Sequence, residues 1–337
     1  MKNSIKQFTI LCFTLFLSAC GGSSGTETAA TTPTEDTSSQ TEQNNQTDTL
    51  TQALEAIYDR VPDISICDQG SLKQTERDKA LATLNQIRAL HGLKAVPYNS
   101  ADDIYTEKSA LIGVANAKLD HYPTADYQCF TNDGATGSEN SNLHLSRIQG
   151  TVTELESSDK SIIEFLIDEN VDNIGHRRWL LNPFLAYVSY GRVDGKPSVD
   201  SQWDFATGVS LKVINDENAD ISDSTIDYIA YPYGNYPAVY FQNGWYMSFS
   251  VLADKIDFWA NQKSVDFSAA SIEVTDSNSQ ALNVNSVSYY NDGRGLPNVL
   301  QWKVDGTVSN QEYTVKIQNV VVSNQTQNYE YTFTIQE

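Results

Sequence analysis

The sequence predicts an α+β protein in two parts: helices around a small sheet over residues 67–226, then an all-β, immunoglobulin-like sandwich over 227–337. Two observations predict it. Between Thr75 and Pro183 apolar residues recur at helical spacing behind capping residues, whereas after Asp227 apolar and polar residues alternate one by one.

The first helix is predicted from Thr75, where "TERD" offers a hydroxyl cap and a carboxylate three residues later. Ala80, Leu81, Leu84, Ile87 and Leu90 keep the helical period until Gly92 ends it, with Leu93 as the apolar contact that follows such an end. A second helix is predicted from Ser100 in "SADD" to about Leu119, burying Ile104, Leu111, Ala115 and Leu119. A polar, glycine-containing loop follows, holding Cys129 and "GSENSN". Ser157 or Ser158 caps a third helix that buries Ile162, Ile163, Leu166 and Ile167 and stops near Asn170. Gly175 precedes a short helix that Pro183 must end, and "LAYVSYGRV" and "DFATGVSLKVI" read as strands. In the second part Tyr313, Val315 and Ile317, and then Tyr329, Tyr331, Phe333 and Ile335, alternate with polar residues as half-buried antiparallel strands do. "NDGRG" at 291–295 supplies a turn, and the nine aromatic residues from Tyr228 to Phe249 read as strand core or as an exposed platform for sugar or peptide.

Residues 1–19 read as a secretion signal, since Lys2 and Lys6 precede the apolar run "FTILCFTLFL". The following Leu17-Ser18-Ala19-Cys20 resembles the lipobox of bacterial lipoproteins, which implies a lipid on Cys20 and a membrane partner through that anchor. Gly21 after the cysteine is compatible with outer-membrane sorting, so the expected location is the bacterial cell envelope, lipid-anchored, or the extracellular space. Residues 20–66 are expected to form a tether, because Gly21 to Thr49 contains no Val, Leu, Ile, Met or aromatic residue with which to offset ordering entropy. With Cys12 lost in the signal and Cys20 lipidated, Cys67 and Cys129 are left to form a disulfide in an oxidising compartment. The chain carries 22 basic and 43 acidic side chains, a net charge of −21, which argues against nucleic acid as a partner.

"LNQIRALHGLKAV", the alanine-rich second helix, "LDHYP", "SEN" and "IGHRRWLLNP" occur in that order between Thr75 and Ile214. Together they resemble the CAP superfamily of cysteine-rich secretory, antigen and pathogenesis-related proteins. The resemblance implies an α-β-α sandwich with a cleft where two histidines and two acids converge, often around a divalent metal. It assigns His121, Glu139 and His176 to that cleft. The second acid falls on Asp168, three residues after Phe165, or on its neighbour Glu169. Imidazoles are the usual nitrogen ligands of zinc and similar ions, so His121 and His176 with Glu139 and Glu169 as ligands or supports would make an exchangeable site.

Plainer readings stand beside this one. His121 follows a helix end that favours a cation, and His176 shares a helical face with Trp179 and Leu180 as a core residue would. Arg177 and Arg178 read as partners of local acids, as a cleft mouth or as solvated charge, and His91 and His144 receive no role. The acidic run "NDENADISD" lacks the central glycine and terminal glutamate of a calcium loop, so a solvated loop fits it better. Beyond the polar tether there is no G-x-S-x-G nucleophile elbow, and the chain has no H-E-x-x-H, phosphate loop or dinucleotide fingerprint.

The expected function is an envelope-anchored protein that binds a divalent metal, or a small hydrophobic or peptidic ligand, in the His/Glu cleft. The alternatives are a metal-dependent, peptidase-like hydrolase, with Glu139 or Glu169 as base, and a glycan-binding adhesin acting through the sandwich.

Overall fold

A small sheet with helices on both faces forms the first part, and close backbone approach decides how those helices sit. The computed structural model describes residues 49–169, 171–199 and 202–337, which fall in one compact unit. The expected signal, Cys20 and the tether up to residue 48 lie outside the described residues, as does Asn170. Residues 49–66, assigned to the tether by composition, carry secondary structure: helix α1 over 49–57 and strand β1, Tyr58–Arg60. Ile57 and Tyr58 are buried, and the Tyr58 hydroxyl donates to Asp194 at 2.6 Å, so this stretch has apolar surface to bury where the preceding polar run has none.

The next elements in chain order are β2 (Ser71–Leu72), α2 (Gln74–Leu90), α3 (Asp103–Ala115), α4 (Asn132–Glu139) and β3 (Ser141–Ile148). They are followed by α5 (Ser158–Ile167), α6 (Gly175–Leu180), β4 (Ser189–Gly195) and β5 (Phe205–Lys212). β5 is the central strand of an antiparallel sheet in the order β3-β5-β4. Tyr190, Val209 and Leu211 join Leu84, Ile87, Ile162 and Phe165 of α2 and α5 in one core, while Val193 and Ala206 turn to α3.

α2 starts one residue before Thr75, and its N-cap, Lys73, makes no side-chain capping bond. Its end follows the sequence reading: Gly92 takes φ 69°, and Leu93 N–H donates to Arg88 O at 3.0 Å. α3 stops at Ala115, four residues short of expectation, because Ala117 adopts φ 47° and Lys118 N–H closes the end on Gly113 O. The expected stripe also shifts: Ile104 and Leu119 are exposed, whereas Thr106, Ala110, Leu111 and Val114 are buried.

The glycine-containing stretch expected to be a loop is α4 followed by β3. A Cβ on Gly137 would lie 2.0 Å from Tyr105 O, and one on Gly191 of β4 would lie 2.3 Å from the Thr106 carbonyl carbon. Glycine therefore marks close packing of α4 and β4 onto α3, not chain flexibility. Thr131 caps α4 by accepting from Gly134 N–H at 3.0 Å. α5 begins at Ser158, and its buried face is Ile162, Phe165 and Leu166, with Ile163 and Ile167 at its edge.

The second part comprises β6 (Tyr228–Tyr231), β7 (Gly234–Pro237), β8 (Met247–Val251), α7 (Phe258–Ser264) and β9 (Val265–Asp266). It continues with β10 (Ser271–Asp276), β11 (Asn283–Tyr290), β12 (Val299–Asp305), β13 (Glu312–Val322) and β14 (Gln325–Gln336). One sheet runs β10-β13-β14-β7 with β9 also on β13, and the other runs β11-β12-β8-β6. The alternation read at Tyr313–Ile317 and Tyr331–Ile335 is the buried face of β13 and β14. Tyr228 and Phe249 of the second sheet meet Tyr329 and Tyr331 of the first, so most of the aromatic run is core.

His91, at the end of α2, is buried between Ala230 O and the Tyr236 hydroxyl, at 2.8 and 3.0 Å. Burial pushes its imidazole down to about 4, against the hydrogen bond that it donates to the Ala230 carbonyl, with Arg177 and Arg88 lowering it further. An unfolded chain takes up that proton near pH 6.5 and the folded one does not, so stability must fall as pH drops from about 6.5 towards 4. Urea unfolding of the native chain should show about 2 kcal/mol less stability at pH 5 than at pH 7 from this group, and His91→Gln should remove that part of the difference.

The disulfide Cys67–Cys129 is formed, with Cα atoms 5.2 Å apart and a sequence separation of 62. It ties the turn after β1 to the segment before α4. Cys67→Ser with Cys129→Ser should cost about 4 kcal/mol by chain entropy. The same loss should follow reductant treatment of the native protein in denaturant titrations.

Candidate functional site

The chain turns sharply at Asp168, which takes φ 54° at the end of α5, a conformation short polar residues tolerate better than most. The turn brings the start of α6 against the last turn of α5. The Asp168 carboxylate, 3% exposed, accepts from the backbone N–H groups of His176 and Arg177 at 2.9 and 3.3 Å. Its other oxygen lies 2.8 Å from His176 Nδ1. In return Arg177 donates to the Leu166 and Ile167 carbonyls, each at 2.6 Å. An anion thus closes the start of one helix and a cation the end of the other, which both dipoles favour.

With Asp168 accepting, Nδ1 of His176 is the donor, so in the neutral imidazole Nε2 is the acceptor. A second imidazole also has a carboxylate beside it: His144 of β3 has Nδ1 3.1 Å from Glu164 Oε2 on α5, a contact without the hydrogen-bond geometry of the first pair. Phe165 stands beside both imidazoles, its ring centroid 5.1 Å from that of His176 and 6.5 Å from that of His144. Burial holds His144 below its ordinary value, while Glu164 and Glu156 oppose the shift and His176 reinforces it.

Both histidines line a cleft of about 820 Å³. One wall is β3 and α5, with Ile163 and Phe165; Asp168 and Glu169 lie at the turn. The facing residues Val239, Gln242 and Trp245 come from the segment between β7 and β8 in the second part. Leu119 and Val239 remain exposed at 44% and 56%, which gives the cleft an apolar margin.

Of the residues singled out in the sequence, the structure thus brings His176, Asp168 and Glu169 to one cleft. His121 is half-buried just beyond α3, its Nδ1 2.9 Å from Ser138 O, and is not among the residues lining the cleft. Glu139 is exposed at the C-terminal end of α4, also off the wall. The histidine that shares the cleft with His176 is His144, to which the sequence gives no role. Its signal lay in "NLHLSRI", where Leu143 and Leu145 flank it at strand spacing.

Arg177 and Arg178 are both buried, at 0% and 1%, rather than solvated. Arg177 also donates to Tyr246 O at 2.9 Å and lies over the Tyr231 ring, while Arg178 pairs with Asp292. Among the described residues no group of three or more His, Cys, Asp or Glu is arranged to hold a metal ion. The cleft offers two imidazoles, of which His176 has its Nδ1 held by a carboxylate, as in metal-bound histidines, and His144 has one within 3.1 Å. That donor set fits an exchangeable ion with open positions and is short of the three protein ligands of a catalytic zinc centre.

Asp168→Ala should cost about 2–3 kcal/mol in denaturant titration, since it removes a buried cap and a charged partner together. Asp168→Asn should recover part of that loss, while nitrogen chemical shifts of the His176 ring should report a changed tautomer balance in both variants. No protein-family model matches the chain, and no curated protein shows significant similarity to it.

Proposed function

We propose that the protein is an envelope-anchored lipoprotein of the CAP type whose cleft binds a small hydrophobic or peptidic ligand. The observation that carries this reading is the cleft itself: apolar walls at Ile163, Phe165, Val239 and Trp245 around two imidazoles, each with a carboxylate beside it. Such a cleft buries an apolar group and offers two fixed nitrogens to a polar end, the usual division of labour in a ligand pocket. Helices on both faces of a three-stranded antiparallel sheet, followed by two antiparallel-rich sheets, support the CAP-like and immunoglobulin-like assignments. The lipid anchor rests on the lipobox resemblance at Cys20, and the outer-membrane location on Gly21.

A divalent cation held by His144 and His176 is the second reading, favoured by the two carboxylate–imidazole pairs. It would leave positions open to water or ligand and so extends to metal-assisted hydrolysis.

Binding of 1-anilinonaphthalene-8-sulfonate to the full chain separates these readings. The ligand reading expects saturable binding in metal-free buffer, weakened about tenfold by Trp245→Ala. Binding insensitive to Trp245→Ala would sink it. Zinc uptake lost in the His144→Ala/His176→Ala double variant would establish the second reading.

A further inference from the structure

A second cavity, of about 300 Å³, opens where the end of α6, the loop after β5 and α7 come together. Four aromatic residues line it: Trp179, Phe184, Phe258 and Trp259. Phe258 stands nearly perpendicular to both of its neighbours, at 87° to Phe184 and 89° to Trp259. Phe184 and Phe258 are buried, whereas Trp259 is 54% exposed.

That indole is placed, not loose. Asp257 caps α7 by accepting from the Trp259 backbone N–H at 2.8 Å, and Gly293 runs so close to the indole that a Cβ there would lie 2.6 Å from the ring. The charged residues lining the cavity are Asp216 and Glu217, with no Lys, Arg or His among the residues that line it. Their loop is tied down on both sides. Asn215 Oδ1 accepts from Ala186 and Tyr187 N–H, each at 3.2 Å, and Ala219 N–H donates to Phe184 O at 2.9 Å. The acidic run that matched no calcium loop is thereby held against an aromatic wall.

We propose that this cavity binds a small alkylated ammonium cation of the choline type. Ring faces carry negative charge density and attract a cation, with about 2 kcal/mol available when it is desolvated. A metal ion keeps its hydration shell before such walls, whereas methylated nitrogen sheds water readily and buries its methyl groups. The two carboxylates add attraction for positive charge and would repel an anion or a headgroup phosphate. A neutral sugar or hydrocarbon would gain nothing from them. The size, at the lower end of ligand pockets, matches a small molecule.

Calorimetric titration of the full chain at low salt tests the proposal with choline, tetramethylammonium, phosphocholine and the neutral isostere 3,3-dimethylbutan-1-ol. Choline and tetramethylammonium should bind saturably, phosphocholine more weakly, and the neutral isostere at least about tenfold more weakly. Trp259→Ala, at an exposed position that leaves the fold intact by circular dichroism, should lose about tenfold in choline affinity, as should Asp216→Asn with Glu217→Gln. Equal binding of the neutral isostere, tighter binding of phosphocholine, or no saturable heat with choline would overturn it. None of these outcomes depends on the cleft at His144 and His176, where Trp245→Ala is the control expected to leave choline binding unchanged.

Discussion

The exchange of caps between α5 and α6 is the interaction on which the rest depends. Each helix end leaves backbone groups without intrahelical partners, and burial makes those groups expensive to leave bare. Asp168 satisfies two N–H groups of α6 and Arg177 satisfies two carbonyls of α5. The two helices cannot then move apart without stranding a charge on each. His176 lies between those two residues in the exchange, so its ring orientation follows from the backbone turn.

The same short helix joins the two parts of the chain. Arg177 passes from α5 to Tyr246 O and stacks on Tyr231, while Arg178 reaches Asp292 and the Leu296 carbonyl. Leu296 N–H in turn donates to Arg178 O at 2.9 Å. Buried guanidinium groups are tolerable only when most of their donors are met, and of these two only Arg178 leaves one, its Nε, without a partner. The hydrophobic core accordingly runs without a break from Leu84 and Phe165 to Trp302 and Val315. One consequence is functional: both cavities, with Trp245 in one and Trp259 in the other, draw walls from each part.

The sequence reading was accurate where local periodicity and burial agree, and less so where packing gave a residue another purpose. Glycines 134 and 137 read as loop because glycine costs a helix stability, yet here they admit the α3 backbone. Missing α4 and β3 meant missing His144, which a period-two reading of "NLHLSRI" would have placed on a strand. The predicted stripe of α3 failed for a related reason. A helix between a sheet and a second helix buries small residues such as Ala110 and Thr106 on its crowded sides and leaves Ile104 to solvent.

By itself the sequence determined the alternation of β13 and β14, the α2 end at Gly92, the α5 and α6 segments, and the pairing of Cys67 with Cys129, because each depends on neighbouring residues or on elimination among few partners. It also put His176 and an acid at 168 or 169 together. Only the tertiary structure chose Asp168 as the partner of His176, set His144 and Glu164 beside them, and buried both arginines. Those outcomes turn on distances between segments far apart in the chain. A sequence pattern reports which face of an element is apolar; which charged residue that face will bury depends on the groups it meets.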